Sequence, residues 1–68
     1  MISYKPFFKT LEKKGITQYQ LEDNDLLSKG TLDNLRHNRS ITLSTLEYIC
    51  CLIECEPLDV FEFINDAQ

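Results

Sequence analysis

Two short helical patterns lie side by side in residues 17–38, TQYQLEDNDLLSKGTLDNLRHN, with only a few residues of turn between them. Thr17 and Gln20 form a T-x-x-Q capping box, which predicts a helix over about 17–23. A second capped pattern predicts a helix over about 28–37. Isolated helices shorter than about 12 to 15 residues are marginal in water, so the rest of the chain must fix the angle between these two.

Helical patterns flank this pair on both sides. Between Ser3 and Lys14 the apolar residues recur at spacings of three and four, which is the period of one helix face. Ser28 caps the second helix of the pair, and Thr42 caps a fourth helix. The fourth helix directs its apolar residues inward, at Leu43, Leu46, Ile49, Cys50 and Ile53.

The last predicted helix opens at Glu56-Pro57, where proline suits the first helical position. Its apolar residues are Leu58, Phe61 and either Ile64 or Phe63. No stretch predicts a convincing strand, and no repeat or linker divides the chain. The sequence therefore predicts an all-α fold, a compact five-helix bundle that forms a single domain over residues 1–68.

The charge is unevenly distributed along the chain. A net charge of −4 at first disfavours nucleic-acid binding, because a nucleic-acid-binding protein normally has a basic surface. All seven Lys and Arg residues lie in residues 1–46, however, whereas residues 47–68 carry six acids and no base. Any contact with a polyanion must therefore come from the first two thirds of the chain.

The three cysteines, Cys50, Cys51 and Cys55, lie on one predicted helical segment. An odd number of cysteines does not make a disulfide framework, so we expect reduced thiols, with Cys50 packed in the core and Cys51 exposed. Met1 is not followed by a long apolar stretch, which leads us to expect no signal peptide, no membrane contact and a cytoplasmic location.

The sequence offers few groups for metal binding or catalysis. Zinc needs four nitrogen or sulfur ligands, and the one histidine, His37, lies on a different segment from the cysteines, so we expect no metal and no cofactor. No Ser/His/Asp set, paired acids or glycine-rich phosphate loop is present in the pattern. We therefore expect no catalytic residue and no enzyme.

The order of these residues resembles the helix-turn-helix of Cro and lambda-repressor type proteins, the Xre family of bacterial and phage transcription regulators. The family motif opens with Thr-Gln, has an apolar residue at its fifth position and returns to apolar residues at its sixteenth and nineteenth. Here these positions are Thr17-Gln18, Leu21, Leu32 and Leu35. The stretch ITLSTLEYICCLIEC resembles the family's fourth helix, and the resemblance covers residues 1 to about 66.

The resemblance implies sequence-specific binding to double-stranded operator DNA, with the helix over 28–37 in the major groove and the helix before it across the phosphate backbone. Gln18 matches the glutamine that commonly contacts a phosphate. The family's base-reading positions fall on Lys29, Gly30 and Asn34, of which Asn34 suits adenine and Lys29 suits guanine. Contacts to phosphates or base edges are expected from Ser28 and Thr31. Contacts to backbone phosphates beyond the helix are expected from Arg36, His37, Asn38 and Arg39.

Two positions depart from the family pattern. Leu26 stands where the family often has glycine in the turn, so either Asn24 or Asp25 takes the left-handed conformation or the turn has another geometry. Gly30 has no side chain with which to read a base. It either permits close approach of the backbone or marks a weakened site.

Two functions remain open. The first is a DNA-binding regulator that forms a homodimer through the apolar residues of the fifth predicted helix, Phe61, Phe63 and Ile64. The second is a protein-interaction module of the same fold, an antitoxin, anti-repressor or regulatory subunit with weak or no DNA binding. Its surface would be acidic and would comprise Glu54, Glu56, Asp59, Glu62 and Asp66.

Overall fold

The computed structural model describes residues 1–65, and within them the fold is mostly helical. The four α-helices are α1 (Lys5–Lys14), α2 (Gln18–Asp23), α3 (Lys29–Arg36) and α4 (Leu43–Ile53). A 3₁₀ turn (Pro57–Asp59) follows α4, and strands β1 (Ile2–Ser3) and β2 (Glu62–Phe63) pair antiparallel. No helix among these residues is long and apolar enough to cross a membrane.

The predicted helix starts are confirmed by hydrogen bonds of the capping side chains. Thr17 Oγ1 accepts from the Gln20 N–H at 3.0 Å, and Gln20 Oε1 accepts from the Thr17 N–H at 2.8 Å. Ser28 accepts from the N–H of Thr31, three residues further along, at 3.1 Å. Thr42 makes the equivalent bond at the start of α4. Each cap satisfies a backbone N–H that has no partner within its helix.

All four helices end in the same local geometry, in which a left-handed residue follows the last turn. The left-handed residues are Gly15 (φ 71), Asp25 (φ 56), Asn38 (φ 56) and Glu54 (φ 53). The next residue then donates its N–H to the carbonyl five positions earlier, as Ile16 does to Leu11 and Arg39 does to Asn34. This bond is that of the Schellman motif. One of the two predicted left-handed turn residues, Asp25, is thereby confirmed.

The core lies between the helices and is closed by the segment after α4. Its buried apolar residues are Tyr4, Phe7, Leu11, Leu21, Leu27, Leu32, Leu35, Ile49, Ile53 and Val60. Leu21, Leu32 and Leu35, the apolar positions of the family motif, are buried, and most of the inward positions predicted for α4 are confirmed. Leu43 was expected to face inward but is 81 % exposed; it is the first residue of α4, directly after the capping Thr42.

The predicted fifth helix is wrong, so the five-helix count is not confirmed. Pro57 begins a turn as expected, but the turn is a single 3₁₀ turn and the chain then becomes extended. Val60 is fully buried whereas Leu58 is 74 % exposed, which is not the apolar face that a helical period predicted. The segment is rich in β-branched and aromatic residues, which suit a strand better than a helix.

The expectation of no strand is also wrong. Ile2 pairs with Phe63 and Ser3 with Glu62 across the sheet, so the two ends of the described chain lie together. Because Ser3 belongs to β1, α1 begins at Lys5 rather than at Ser3. Asp66, which was expected to belong to the acidic surface, lies outside the described residues.

Candidate nucleic-acid interface

The turn between α2 and α3 is held by contacts from the core and from α4. Leu27 is buried, and its N–H donates to the Leu21 carbonyl at 3.2 Å. The Tyr48 hydroxyl donates to the Leu26 carbonyl at 2.6 Å. Neither Leu27 nor Tyr48 was predicted to have this role. The available signal was Leu27 itself, an apolar residue within the otherwise polar sequence between two short helices.

The outer face of α3 begins with residues that the protein does not use for its own packing. Leu32 and Leu35 are fully buried and attach the helix to the core. Lys29 and Gly30 lie on the exposed side, and Asn34 is half-buried one turn further along. A Cβ atom added at Gly30 would meet no atom within 4 Å, so packing does not require glycine there.

Ser28 and Thr31 lie together at the start of α3. The Ser28 hydroxyl accepts the Thr31 N–H and donates to Thr31 Oγ1 at 2.9 Å. Because Thr31 Oγ1 is the acceptor of that bond, the hydrogen of its own hydroxyl is free to donate elsewhere. Ser28 therefore caps the helix, and the Thr31 hydroxyl keeps a hydrogen that it can donate outside the protein.

A polar cluster joins the exposed sides of α2 and α3. Arg36 Nε donates to Gln18 Oε1 at 2.7 Å. The same guanidinium lies 3.9 Å from a carboxylate oxygen of Glu22 and 3.8 Å from one of Asp33. Two of the predicted DNA contacts, Gln18 and Arg36, are thus brought into direct contact with each other.

The Schellman motif at the end of α3 brings Asn34 and Arg39 together. The Arg39 N–H donates to the Asn34 carbonyl at 2.8 Å, and Arg39 Nη1 lies 3.5 Å from Asn34 Oδ1. The second distance is at the outer limit of a hydrogen bond, so this side-chain contact is weak. His37 stays at the helix end, where its Nδ1 lies 2.9 Å from the Asp33 carbonyl.

Asn38 is turned toward α1. Its Oδ1 accepts from the Tyr4 N–H at 3.0 Å, and the Tyr4 hydroxyl donates to the Arg39 carbonyl at 2.6 Å. Burial raises the pKa of Tyr4, and a hydrogen bond with the backbone of Ile41 partly offsets this increase. The segment after α3 is therefore anchored to the start of α1, a role of Asn38 and Tyr4 that the sequence did not reveal.

The charge of this region is close to balanced. Between residues 17 and 41 the chain has three cations and four carboxylates. The two ion pairs formed by the described residues both involve Arg36. Lys29 and Arg39 form no ion pair within residues 1–65, so they are the cations of this surface whose charge is not offset by a contacting carboxylate.

These features define a helix-turn-helix protein: two capped helices, α2 and α3, a turn between them that α4 and the core hold in place, and an exposed face on α3. Residues 9–66 match the family model of the Cro/C1-type HTH DNA-binding domain, and the chain belongs to that family. The resemblance seen in the sequence is thereby confirmed.

Two comparisons with individual proteins agree with the family. The chain is 32 % identical over 60 residues to an uncharacterized HTH-type transcriptional regulator, YozG, of Bacillus subtilis (strain 168), and the match covers 85 % of this chain and 71 % of that protein. Its fold is similar to the crystal structure of the transcriptional regulator VanUg, with a TM-score of 0.83 and 26 % identity over 96 % of this chain and 87 % of that one. These relatives are transcription regulators, and the family is one of DNA-binding domains.

Proposed function

We propose that the protein is a cytoplasmic transcription regulator that binds operator DNA sequence-specifically, with α3 in the major groove. Support comes chiefly from the start of α3, where Lys29 and Gly30 are exposed and serve no packing role. The major groove is about 12 Å wide and admits one α-helix. The sequence readout needs no catalytic residue, metal or cofactor.

Asn34 is the proposed reader of adenine. It can accept from adenine N6 and donate to N7, which requires both ends of its amide. Its contact with Arg39 is long, at 3.5 Å, so a base edge can replace it at little cost. Lys29 is proposed to donate to guanine O6 or N7, and the backbone at Gly30 to approach the groove closely.

The remaining contacts are proposed to be with the phosphate backbone. Arg39 provides a cation that forms no ion pair within the described residues, and Thr31 provides a hydroxyl donor. The side-chain amide of Gln18, the first residue of α2, donates to a phosphate. Weaker phosphate contacts are proposed for Ser28, His37 and Asn38, because their polar atoms already bond within the protein. Arg36 donates to Gln18 and is not proposed as a phosphate contact.

We further propose that two copies bind DNA together as a homodimer. One recognition helix covers few base pairs, and a two-fold pair placed on half-sites about 34 Å apart supplies the missing specificity. A dimer through a fifth helix is not compatible with the fold, but two of its expected residues, Phe63 and Ile64, are exposed on and beside β2. Leu43 and Phe63 line the same apolar pocket, and a second copy would cover this surface.

The dimer is tested by sedimentation equilibrium of the wild type and of two single variants. Phe63→Glu is expected to give a monomer. Leu58→Glu is the matched control, since Leu58 is about as exposed as Phe63 and does not line that pocket. A wild-type monomer at high micromolar concentration, without and with DNA, would contradict the dimer.

DNA binding is tested by selection from a pool of random duplexes, followed by fluorescence anisotropy at several salt concentrations. We expect enrichment of a short palindromic motif. Lys29→Ala should weaken binding to it more than Lys9→Ala, which removes the same charge from α1. Equal effects would show that only net charge matters.

A second candidate function is favoured by the exposed carboxylates after α4. Glu54, Glu56, Asp59 and Glu62 all lie on the surface of the described chain. They suit a protein partner with a basic surface. Failure of the selection to enrich any duplex, with weak binding even at low salt, would favour this protein-interaction module.

A further inference from the structure

We propose that Arg36 is a positioning residue: it orients the Gln18 side-chain amide toward a DNA phosphate and does not itself contact DNA. This inference rests on the proposed function, because it assigns the source of one phosphate contact. The observation behind it is the hydrogen bond of 2.7 Å from Arg36 Nε to Gln18 Oε1, which joins α3 to α2.

The chemistry of the guanidinium fixes which end of the amide faces it. Arginine has only donors, so the atom of Gln18 that meets Arg36 Nε must be the amide oxygen. The NH₂ group of Gln18 then lies at the opposite side, where it can donate but not accept. A phosphate oxygen only accepts, so the orientation set by Arg36 is the one that a phosphate requires. If the amide turned over, its oxygen would face the phosphate and repel it.

The charges around Arg36 argue against a direct phosphate contact. Glu22 and Asp33 contribute carboxylates at 3.9 Å and 3.8 Å from its guanidinium nitrogens. A phosphate would have to approach a cation that already has two carboxylate neighbours. Arg39 and Lys29, which have none among residues 1–65, are better placed to neutralise phosphates.

A double-mutant cycle tests the inference on the duplex obtained by selection. The variants are Gln18→Ala, Arg36→Met and the double variant, each titrated at several salt concentrations. We expect each single change to lower the affinity about three- to tenfold, and the double variant to bind no more weakly than Gln18→Ala. Additive losses would overturn the inference.

The salt dependence separates positioning from direct contact. The slope of log K against log [salt] is negative, and a lost ionic phosphate contact reduces its magnitude by about 0.9. Arg39→Gln should show this decrease, whereas Arg36→Met should keep the wild-type slope. A decrease of the same size in Arg36→Met would show that Arg36 neutralises a phosphate directly.

A measurement without DNA separates this inference from the proposed function. In the free protein we expect the Arg36 Nε–H to exchange slowly with water by NMR, and to exchange faster in Gln18→Ala. Fast exchange in the wild type would contradict the Arg36–Gln18 bond whatever the protein binds. Slow exchange combined with no binding to any duplex would instead overturn the proposed function, and with it the role assigned to the bond.

Discussion

The Tyr48 hydroxyl donates a hydrogen bond of 2.6 Å to the carbonyl oxygen of Leu26 and so ties α4 to the turn between α2 and α3. The two helices have six and eight residues, too few to be stable alone. Their angle is fixed by the turn, which is held by Tyr48 on one side and by buried Leu27 on the other. The position of the exposed face of α3 therefore depends on the attachment of this turn to the core.

Replacing Tyr48 with phenylalanine tests that attachment. The Tyr48→Phe variant keeps the ring and loses the bond to Leu26, so the free energy of unfolding should fall by about 1 kcal/mol. Amide exchange at Leu26 and Leu27, in the turn before α3, should increase more than amide exchange within α3. Tyr19→Phe is the control, since Tyr19 is exposed and no hydrogen bond of its hydroxyl is present in the described chain. Equal changes in the two variants by urea denaturation would contradict the role of Tyr48.

Asn38 allows a backbone effect and a side-chain effect to be separated. It has φ 56 and accepts the Tyr4 N–H. Asn38→Gly loses the hydrogen bond but also removes the Cβ atom that the left-handed region disfavours, so it should cost at most about 1 kcal/mol of stability. Asn38→Ala loses the hydrogen bond and keeps a Cβ there without the local side-chain hydrogen bonding that lets Asn adopt this conformation, so its loss should be about 2 kcal/mol. Thermal unfolding of both variants measures the difference, and equal losses would mean that the backbone conformation costs nothing.

Gly30 should affect stability and DNA binding in opposite directions. Gly30→Ala places a methyl group in open space on a helix, so the free energy of unfolding should rise by about 0.5 to 1 kcal/mol. If the backbone at Gly30 approaches the groove closely, the same methyl group should weaken binding to the selected duplex. Thermal unfolding and anisotropy on one protein sample measure both. Unchanged binding would remove Gly30 from the interface.

The starts of α2, α3 and α4 could be predicted because their signals are local. Thr17, Ser28 and Thr42 each cap a helix with a bond to a backbone N–H only three residues away. The segment after α4 could not be predicted in the same way. Its strand pairs with Ile2–Ser3, about sixty residues earlier in the chain, and no local spacing reports such a partner.

The candidate site was predictable to a similar extent. Lys29 and Gly30, which the resemblance gave as base-reading positions, are exposed, and Leu32 and Leu35, two apolar positions of the motif, are buried. The partners of Arg36 and Asn38 were not predictable. They depend on how α3 crosses α2 and on where α1 begins, which the packing of the whole core decides.

The thiols near the end of α4 should make the protein less stable at high pH. Burial, together with the neighbouring Cys50 thiol, raises the pKa of Cys55 from 9.0 to about 11, and burial also raises the pKa of Cys50. The unfolded thiol loses its proton near pH 9 while the folded one keeps it. The stabilising contribution is therefore complete below pH 9 and is lost between pH 9 and about 11.

Urea unfolding from pH 7 to 10.5 measures this loss. Cys55→Ala lacks the Cys55 contribution, so its stability should fall less steeply above pH 9 than that of the wild type. Lysine and tyrosine titrations are common to both proteins and cancel in the comparison. Parallel curves over the whole range would show that Cys55 keeps its ordinary pKa in the folded state.

Asn34 and Arg39 should affect DNA binding in distinguishable ways although their side chains lie next to each other. Asn34→Ala should cost about 1 to 3 kcal/mol on the selected duplex and relax the preference at one base pair, because a base edge loses its partner. Arg39→Ala should weaken all sequences together and reduce the salt slope by about one, because a phosphate loses its cation. Anisotropy on the selected duplex and on single-base variants of it measures both effects. An equal loss on all duplexes for Asn34→Ala would mean that Asn34 contacts the DNA phosphate backbone, and Lys29 would then be the remaining candidate for base contacts.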